Sequence, residues 1–171
     1  AEKFPIWCGP DSIQQLASMV EGTRAIHRGD IKGLFVMDIH PMISFPDTNK
    51  FVEGLMKLDL LVTLSPTIYD SASYADYVLP TTTKYEEAYV YVSQYHKTAT
   101  ASRAVIGPPG EARNPIDTLI NITQALAKRG SIEYPEVLPW MDHEEFWNFR
   151  LEGSGLTMKE LLEKTHQEYP Y

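Results

Sequence analysis

Apolar positions gather into short unbroken runs set apart by stretches of helical spacing, and polar turns separate the two. Leu60-Leu-Val-Thr-Leu64 is nearly continuous in apolar or β-favouring residues, and Ser65-Pro66 follows at once. That pattern predicts a buried parallel strand with a polar turn at its carboxyl end. A second run ends at Leu79-Pro80, where proline stops the strand. Between them Asp70 and Asp76 flank a short helical turn that Asp70 is placed to cap. Upstream, Gly33-Leu-Phe-Val-Met37 is continuous enough to predict a strand buried on both faces, ending in the polar turn Asp38-Ile39-His40-Pro41. Asp47 or Thr48 can cap a helix that carries Phe51, Leu55 and Leu58 inward and delivers the chain to Leu60.

The first residues follow the same grammar. Phe4-Pro-Ile-Trp-Cys8 predicts a strand closed by Gly9-Pro10. Ser12 and Gln15 have capping-box spacing, with Ile13, Leu16, Ala17 and Val20 on one helical face and a stop near Gly29. The order β-α-β-α-β with right-handed crossovers predicts an α/β fold: a Rossmann-like three-layer αβα domain on a mostly parallel sheet. Residues 89–105 break the rhythm, being β-branched and aromatic without helical period, and predict an extended or hairpin-like excursion across the sheet ends. Gly107-Pro-Pro-Gly110 is a rigid turn, and Asn114-Pro115 supplies a cap and a first-turn proline for a helix with Ile116, Leu119, Ile120, Thr123, Leu126 and Ala127 on its face. The α/β domain is expected over residues 1–130. Residues 131–171 are expected to form a helical tail, with short helices at 143–151 and 157–166, that covers it or connects to a further domain.

Composition narrows the functional classes. The 171 residues carry a net charge of -8 with scattered Lys and Arg, which excludes a nucleic-acid surface of the usual basic kind. No apolar run reaches membrane-spanning length, so direct membrane insertion is not expected. The single Cys8 forms no internal disulfide or metal-thiolate cluster and reads as buried filler. The chain begins Ala-Glu-Lys, without an initiator Met or a signal-peptide pattern, and reads as a processed chain or a piece of a longer one.

Chemistry is sparse. In open α/β sheets ligands bind beyond the carboxyl ends of the strands, which points to residues 65–71 and the 38–41 turn. Asp38 and His40 lack a third ligand at sensible spacing, so a hydrogen-bonded turn outweighs a metal site. Glu86 and Glu87, if on a strand, point to opposite faces and do not form a facing carboxylate pair. Two prolines strip the 107–110 turn of the N–H donors that cradle phosphate. No Ser-His-Asp set, P-loop, zinc spacing or dinucleotide fingerprint is present. Ser65, Thr67 and the backbone of residues 69–72 can supply donors there, and Asp70 or Asp38 can supply acceptors.

One order of segments is specific: Gly33-Leu-Phe-Val-Met-Asp-Ile-His-Pro41, Leu58-Asp-Leu-Leu-Val62, Asp70-Ser-Ala-Ser-Tyr-Ala-Asp-Tyr-Val-Leu-Pro80, Glu86, and Pro108-Pro-Gly-Glu-Ala-Arg113. It resembles the third domain of the large catalytic subunits of the molybdopterin oxidoreductase family, the dimethyl sulfoxide reductase superfamily, over most of residues 11–130. The resemblance implies a segment that helps bind one of two pyranopterin guanine dinucleotides holding molybdenum or tungsten, and that is inactive alone. His40 then stands at the Asn of the family's Asn-Pro turn, beside Pro41. Leu64 and Ser65 stand at the strand-end pair that meets the dinucleotide, followed by Thr67, Asp70 and Ser71. Glu87 stands where one branch has a cofactor-contacting Lys, and Asn114 or Pro115 falls near that branch's Asp. His for Asn, Ser for Asp, Glu for Lys, and Ala88 or Tyr89 for Gly are departures.

The resemblance further implies an iron-sulfur cluster in the parent but not in this segment. Its implied partners are the remaining domains of the same large subunit and an iron-sulfur electron-transfer subunit, in a bacterial or archaeal cytoplasm or periplasm. The departures keep a second expectation open: a non-catalytic scaffold of the kind found in the large iron-sulfur subunit of respiratory complex I. A third, an independent metal hydrolase using Asp38 and His40, ranks last.

Overall fold

The computed structural model describes residues 19–92, 99–132 and 138–168. The strand expected at 4–8, the cap at Ser12 and most of the first helix lie outside these residues, as do parts of the excursion and of the tail. The chain divides into two compact units, residues 1–79 and 80–171.

In the first unit, helix α1 (Met19–Arg28) ends at Gly29, whose φ of +80° suits a residue without Cβ. It turns Thr23 and Ile26 inward, while Val20 is exposed rather than on the inner face. Strand β1 (Gly33–Met37) leads into a one-turn helix α2 (Pro41–Ser44) and then α3 (Thr48–Leu55). Asp47 caps α3, accepting from the Lys50 N–H at 3.3 Å. Phe51 and Leu55 are buried, and Leu58 packs beside them just past the helix end.

Strand β2 (Leu60–Ser65) runs parallel to β1 with Gly33 opposite Leu60 and Met37 opposite Leu64, and β3 (Tyr77–Pro80) flanks β2 on its other side. The α/β architecture on a parallel sheet is therefore as expected. β2 is buried from Leu61 onward, as a central strand should be. β1 is not buried on both faces: it alternates, with Val36 enclosed and Phe35 and Met37 about two-fifths exposed. It lies at one end of the three-strand order, and only the face bearing Leu34 and Val36 packs into the core of Ile26, Phe51, Leu55 and Leu61. Residues 70–74 form a 3-10 turn, but Tyr69 holds the cap position and no side chain caps it, so Asp70 does not take that role. Asp76 does the structural work instead. Its carboxylate accepts from the Leu61 N–H at 2.7 Å, and its own N–H donates to the Leu61 carbonyl at 2.8 Å.

In the second unit, β4 (Tyr89–Val92) and β5 (Ala99–Ser102) pair antiparallel, the expected hairpin. Helix α4 (Pro115–Lys128) starts at the expected Asn114 cap and Pro115, and ends before Gly130 at φ +73°. Ile120 and Thr123 are buried on its inner face, whereas Leu126 is two-fifths exposed. Helices α5 (His143–Arg150) and α6 (Met158–Glu168) form the tail. Leu151, Met158 and Leu161 bury against Val90 of the hairpin, with Ala99 and Ala101 at the margin. The tail thus covers the excursion, which gives a two-stranded ribbon the apolar backing it needs.

Candidate functional site at the strand ends

Because β1 and β2 are parallel and in register, the turns that follow them leave the same rim of the sheet. The Asp38 N–H donates to the Leu64 carbonyl at 3.0 Å, carrying the ladder one step beyond β1. Asp38 then takes a φ of +50°, a left-handed conformation that costs a residue with Cβ of order 1 kcal/mol and swings Ile39 and His40 off the strand axis. Pro41 is buried at the first turn of α2, while the His40 carbonyl accepts from the N–H groups of Ile43 and Ser44. The His40 ring lies against Tyr69, with centroids 3.4 Å apart and planes tilted by 46°. Two loops separated by 29 residues of sequence thereby meet through their aromatic side chains.

Beside Tyr69 the strand ends form a shallow surface depression that encloses no room for a water molecule. Val36, Ile39, Leu64, Ser65, Tyr69 and Ser71 contribute to its lining, with Thr63, Thr67 and Ala72. Ser65 is nearly buried and its Oγ accepts from the Thr67 N–H at 3.3 Å. Ser71 is enclosed, Leu64 wholly so, and Asp70 and Thr67 are exposed. Thr63 in the lining is 4% exposed, and its hydroxyl has no hydrogen-bond partner among the described residues. Of the expected residues, His40, Pro41, Leu64, Ser65, Thr67, Asp70 and Ser71 all belong to this rim or the turn beside it. Thr63, which also lines the depression, is not among them, although a hydroxyl within the aliphatic run Leu60–Leu64 is itself a signal.

The second unit holds Glu87 and Asn114 together. Residues 84–86 are a turn, so Glu86 and Glu87 are not on a strand as supposed. Glu86 accepts from the Thr83 N–H at 2.8 Å, closing that turn locally. The Glu87 Oε2 accepts from the Asn114 Nδ2 at 2.8 Å and from the Thr82 hydroxyl through a short hydrogen bond. The Asn114 Oδ1 meanwhile accepts from the N–H groups of Ile116 and Asp117. Each carboxylate is thus separately engaged, and among the described residues no group of three His, Cys, Asp or Glu is arranged to hold a metal ion.

A model of the family described as molybdopterin oxidoreductase matches residues 12–129. The chain belongs to that family. Among its relatives, a probable oxidoreductase, YyaE, of Bacillus subtilis is 32% identical over 134 residues, covering 77% of this chain and 19% of the relative. The assimilatory nitrate reductase catalytic subunit of the same organism is 31% identical over 117 residues, covering 68% and 16%. The solved structure of acetylene hydratase from Pelobacter acetylenicus superposes with a TM-score of 0.60 at 24% identity, covering 82% of this chain and 19% of that one. The chain therefore spans under a fifth of the length of these molybdopterin-family relatives. The last likeness bears on fold, and it agrees with the parallel sheet found here. No helix among the described residues is long and apolar enough to cross a membrane.

Proposed function

We propose that this chain helps bind one pyranopterin guanine dinucleotide of a molybdenum or tungsten cofactor within a larger molybdopterin-dependent oxidoreductase, and that it is inactive alone. The observation that carries this reading is the meeting of the 38–41 and 65–71 turns on one rim of parallel strands, with His40 on Tyr69 at 3.4 Å. Such rims are where open α/β sheets take nucleotides.

The residues present fit the group. The rim offers the hydroxyls of Ser65, Thr67 and Ser71, peptide groups of the 65–71 turn, and an aromatic ledge for a planar heterocycle. Glu87 in place of a Lys does not oppose the fit, because its carboxylate is committed to Thr82 and Asn114 and holds the start of α4. When bound, the metal-pterin supplies the redox chemistry, and this chain's residues bind and orient it. The partners under this reading are the remaining domains of the same large subunit and an iron-sulfur electron-transfer subunit.

The standing of His40, Ser65 and Glu87 where the resemblance implies Asn, Asp and Lys favours a second reading, a scaffold that keeps the fold without the pterin. Metal analysis and pterin release from the intact parent protein separate the two. Molybdenum or tungsten with guanine-containing pterin is the expected result, and a parent replete in iron-sulfur but devoid of both metals and of pterin would overturn it.

A further inference from the structure

Helix α5 carries three aromatic residues in eight positions, and none of its residues is fully buried. A helix this short gains little from its own hydrogen bonds and is held by the face it packs. Trp147 supplies that face, against the cluster of Val90, Leu151, Met158 and Leu161. Phe146 and Phe149 reach Trp140 instead, with ring centroids 5.0 and 5.2 Å from it, and Phe149 stays 54% exposed. Met141, next to Trp140, is 63% exposed. The result is an aromatic and thioether surface held by contacts between its own rings and open on its outer side.

Its surroundings say what it fits. The Glu145 carboxylate accepts from the Met141 N–H at 2.8 Å, one turn before Phe149, and Glu152 follows Phe149 by three positions. Residues 138–168 hold seven Asp or Glu against three Lys or Arg. Aromatic side chains and Met inside a charged rim are the anatomy of a protein interface, whereas a small-molecule site is concave. The acidic rim disfavours a second copy, which would bring the same carboxylates together about a two-fold axis, and it disfavours an anionic lipid surface. It favours a partner surface that is apolar with Lys or Arg at its margin. The patch lies beyond residue 129, where the family match ends, and this chain spans under a fifth of the relatives' length, so most of a family polypeptide remains to cover it.

We propose that Trp140, Met141, Phe146 and Phe149 form a docking surface for a basic-rimmed apolar patch on the remaining polypeptide of the same large subunit. This rests on the larger-enzyme part of the reading above and not on the pterin, so the cofactor assay can fail while the docking surface stands.

The test treats the intact large subunit, purified free of other subunits, with dilute hydrogen peroxide and follows methionine oxidation by peptide mass mapping, both native and unfolded in guanidinium. Oxidation follows exposure, so an uncovered Met141 would react within about threefold of its unfolded rate, while the buried Met158 marks the protected limit. Met141 is expected to react at least roughly tenfold more slowly in the native subunit than in the unfolded one, at a rate independent of protein concentration. Phe149→Asp, a change at an exposed position, is expected to return Met141 to within about threefold of the unfolded rate while Met158 stays protected. Glu152→Lys, which reverses one rim charge, should raise the native Met141 rate about threefold. A wild-type Met141 that reacts near its unfolded rate overturns the docking surface, and that measurement decides even where a variant misfolds. Protection lost on dilution assigns the patch to a second copy and overturns it too. Protection that survives Phe149→Asp, or a rate unmoved by Glu152→Lys, overturns the aromatic contact or the basic margin on which the proposal stands.

Discussion

Asn114 and Glu87 are joined side chain to side chain at 2.8 Å, across 27 residues of sequence. The amide of Asn114 is used at both ends, its oxygen capping α4 and its nitrogen donating to the carboxylate, so one residue ties the chain just past the 84–86 turn to a helix start. Asn114→Asp keeps a capping oxygen but sets a second carboxylate against the first. At neutral pH it is expected to cost about 1–3 kcal/mol of unfolding free energy in urea. Two facing carboxyls raise one of their pKa values above its unfolded value, so the penalty relative to the wild type should be smallest at low pH and grow as pH rises through the raised value. Adding Glu87→Lys should recover most of the loss. Additive effects in the double variant would show that the two side chains do not act on each other.

Asp76 offers a sharper test of what holds the sheet. Its carboxylate is the acceptor for the Leu61 N–H, so Asp76→Ala leaves a donor at the start of the most buried strand without its partner. A hydrogen bond to a charged group contributes about 1.5–3 kcal/mol, and a loss in that range is expected by chemical denaturation. Asp76→Asn retains an acceptor oxygen and should lose less. Equal stability of the alanine variant and the wild type would contradict the contact.

What was readable in the chain follows the range over which each signal acts. Asp47 and Asn114 as caps, Gly29 and Gly130 as stops, and Leu60–Ser65 as a buried strand are local patterns, and the structure has all of them. Whether a strand is central or at the end of the order is decided by lateral neighbours. The apolar run at 33–37 therefore read as doubly buried, while Phe35 and Met37 are open. At the site, the turns were located by their place after parallel strands, but the His40–Tyr69 contact and the pairing of Glu87 with Asn114 depend on side chains meeting across 29 and 27 residues. Asp70 read as a cap because acidic residues favour helix starts, yet the turn begins at Asp70 itself, one position too early for its side chain to serve.

Asp117 and His143 are another pair without a local signal. The Asp117 carboxylate accepts from both the backbone N–H and the ring Nδ1 of His143, each at 2.7 Å, and so pins the first residue of α5 to the first turn of α4. Both side chains are about 30% exposed, which discounts the pairing for solvent, and Asp117→Ala is expected to cost about 1–2 kcal/mol. His143→Ala removes the ring but not the backbone donor and should cost less. Amide exchange should quicken across His143–Arg150 in the Asp117 variant and much less in the His143 variant. Uniform quickening over all helices would assign the loss to global stability instead.

Glu160 gives the pH prediction. Its carboxylate accepts from the Thr157 N–H at 2.9 Å and from the Thr157 hydroxyl at 2.8 Å, while its own N–H donates back to that hydroxyl oxygen at 3.2 Å. This is a reciprocal capping box at the start of α6. The backbone hydrogen bond from Thr157, then its hydroxyl, holds the Glu160 carboxyl below the usual carboxylate range. A lowered carboxyl pKa adds stability that is present above the unfolded value and disappears as pH falls through the folded one. The first turn of α6 should therefore stay closed at neutral pH and fray only below the ordinary glutamate range. In an NMR titration the Thr157 and Glu160 amide shifts should move together, with a midpoint below about 4.3, the value for a free glutamate. Glu160→Gln should remove that step and leave the remaining helices unaffected, whereas a midpoint at or above the free value would show that the box does not form.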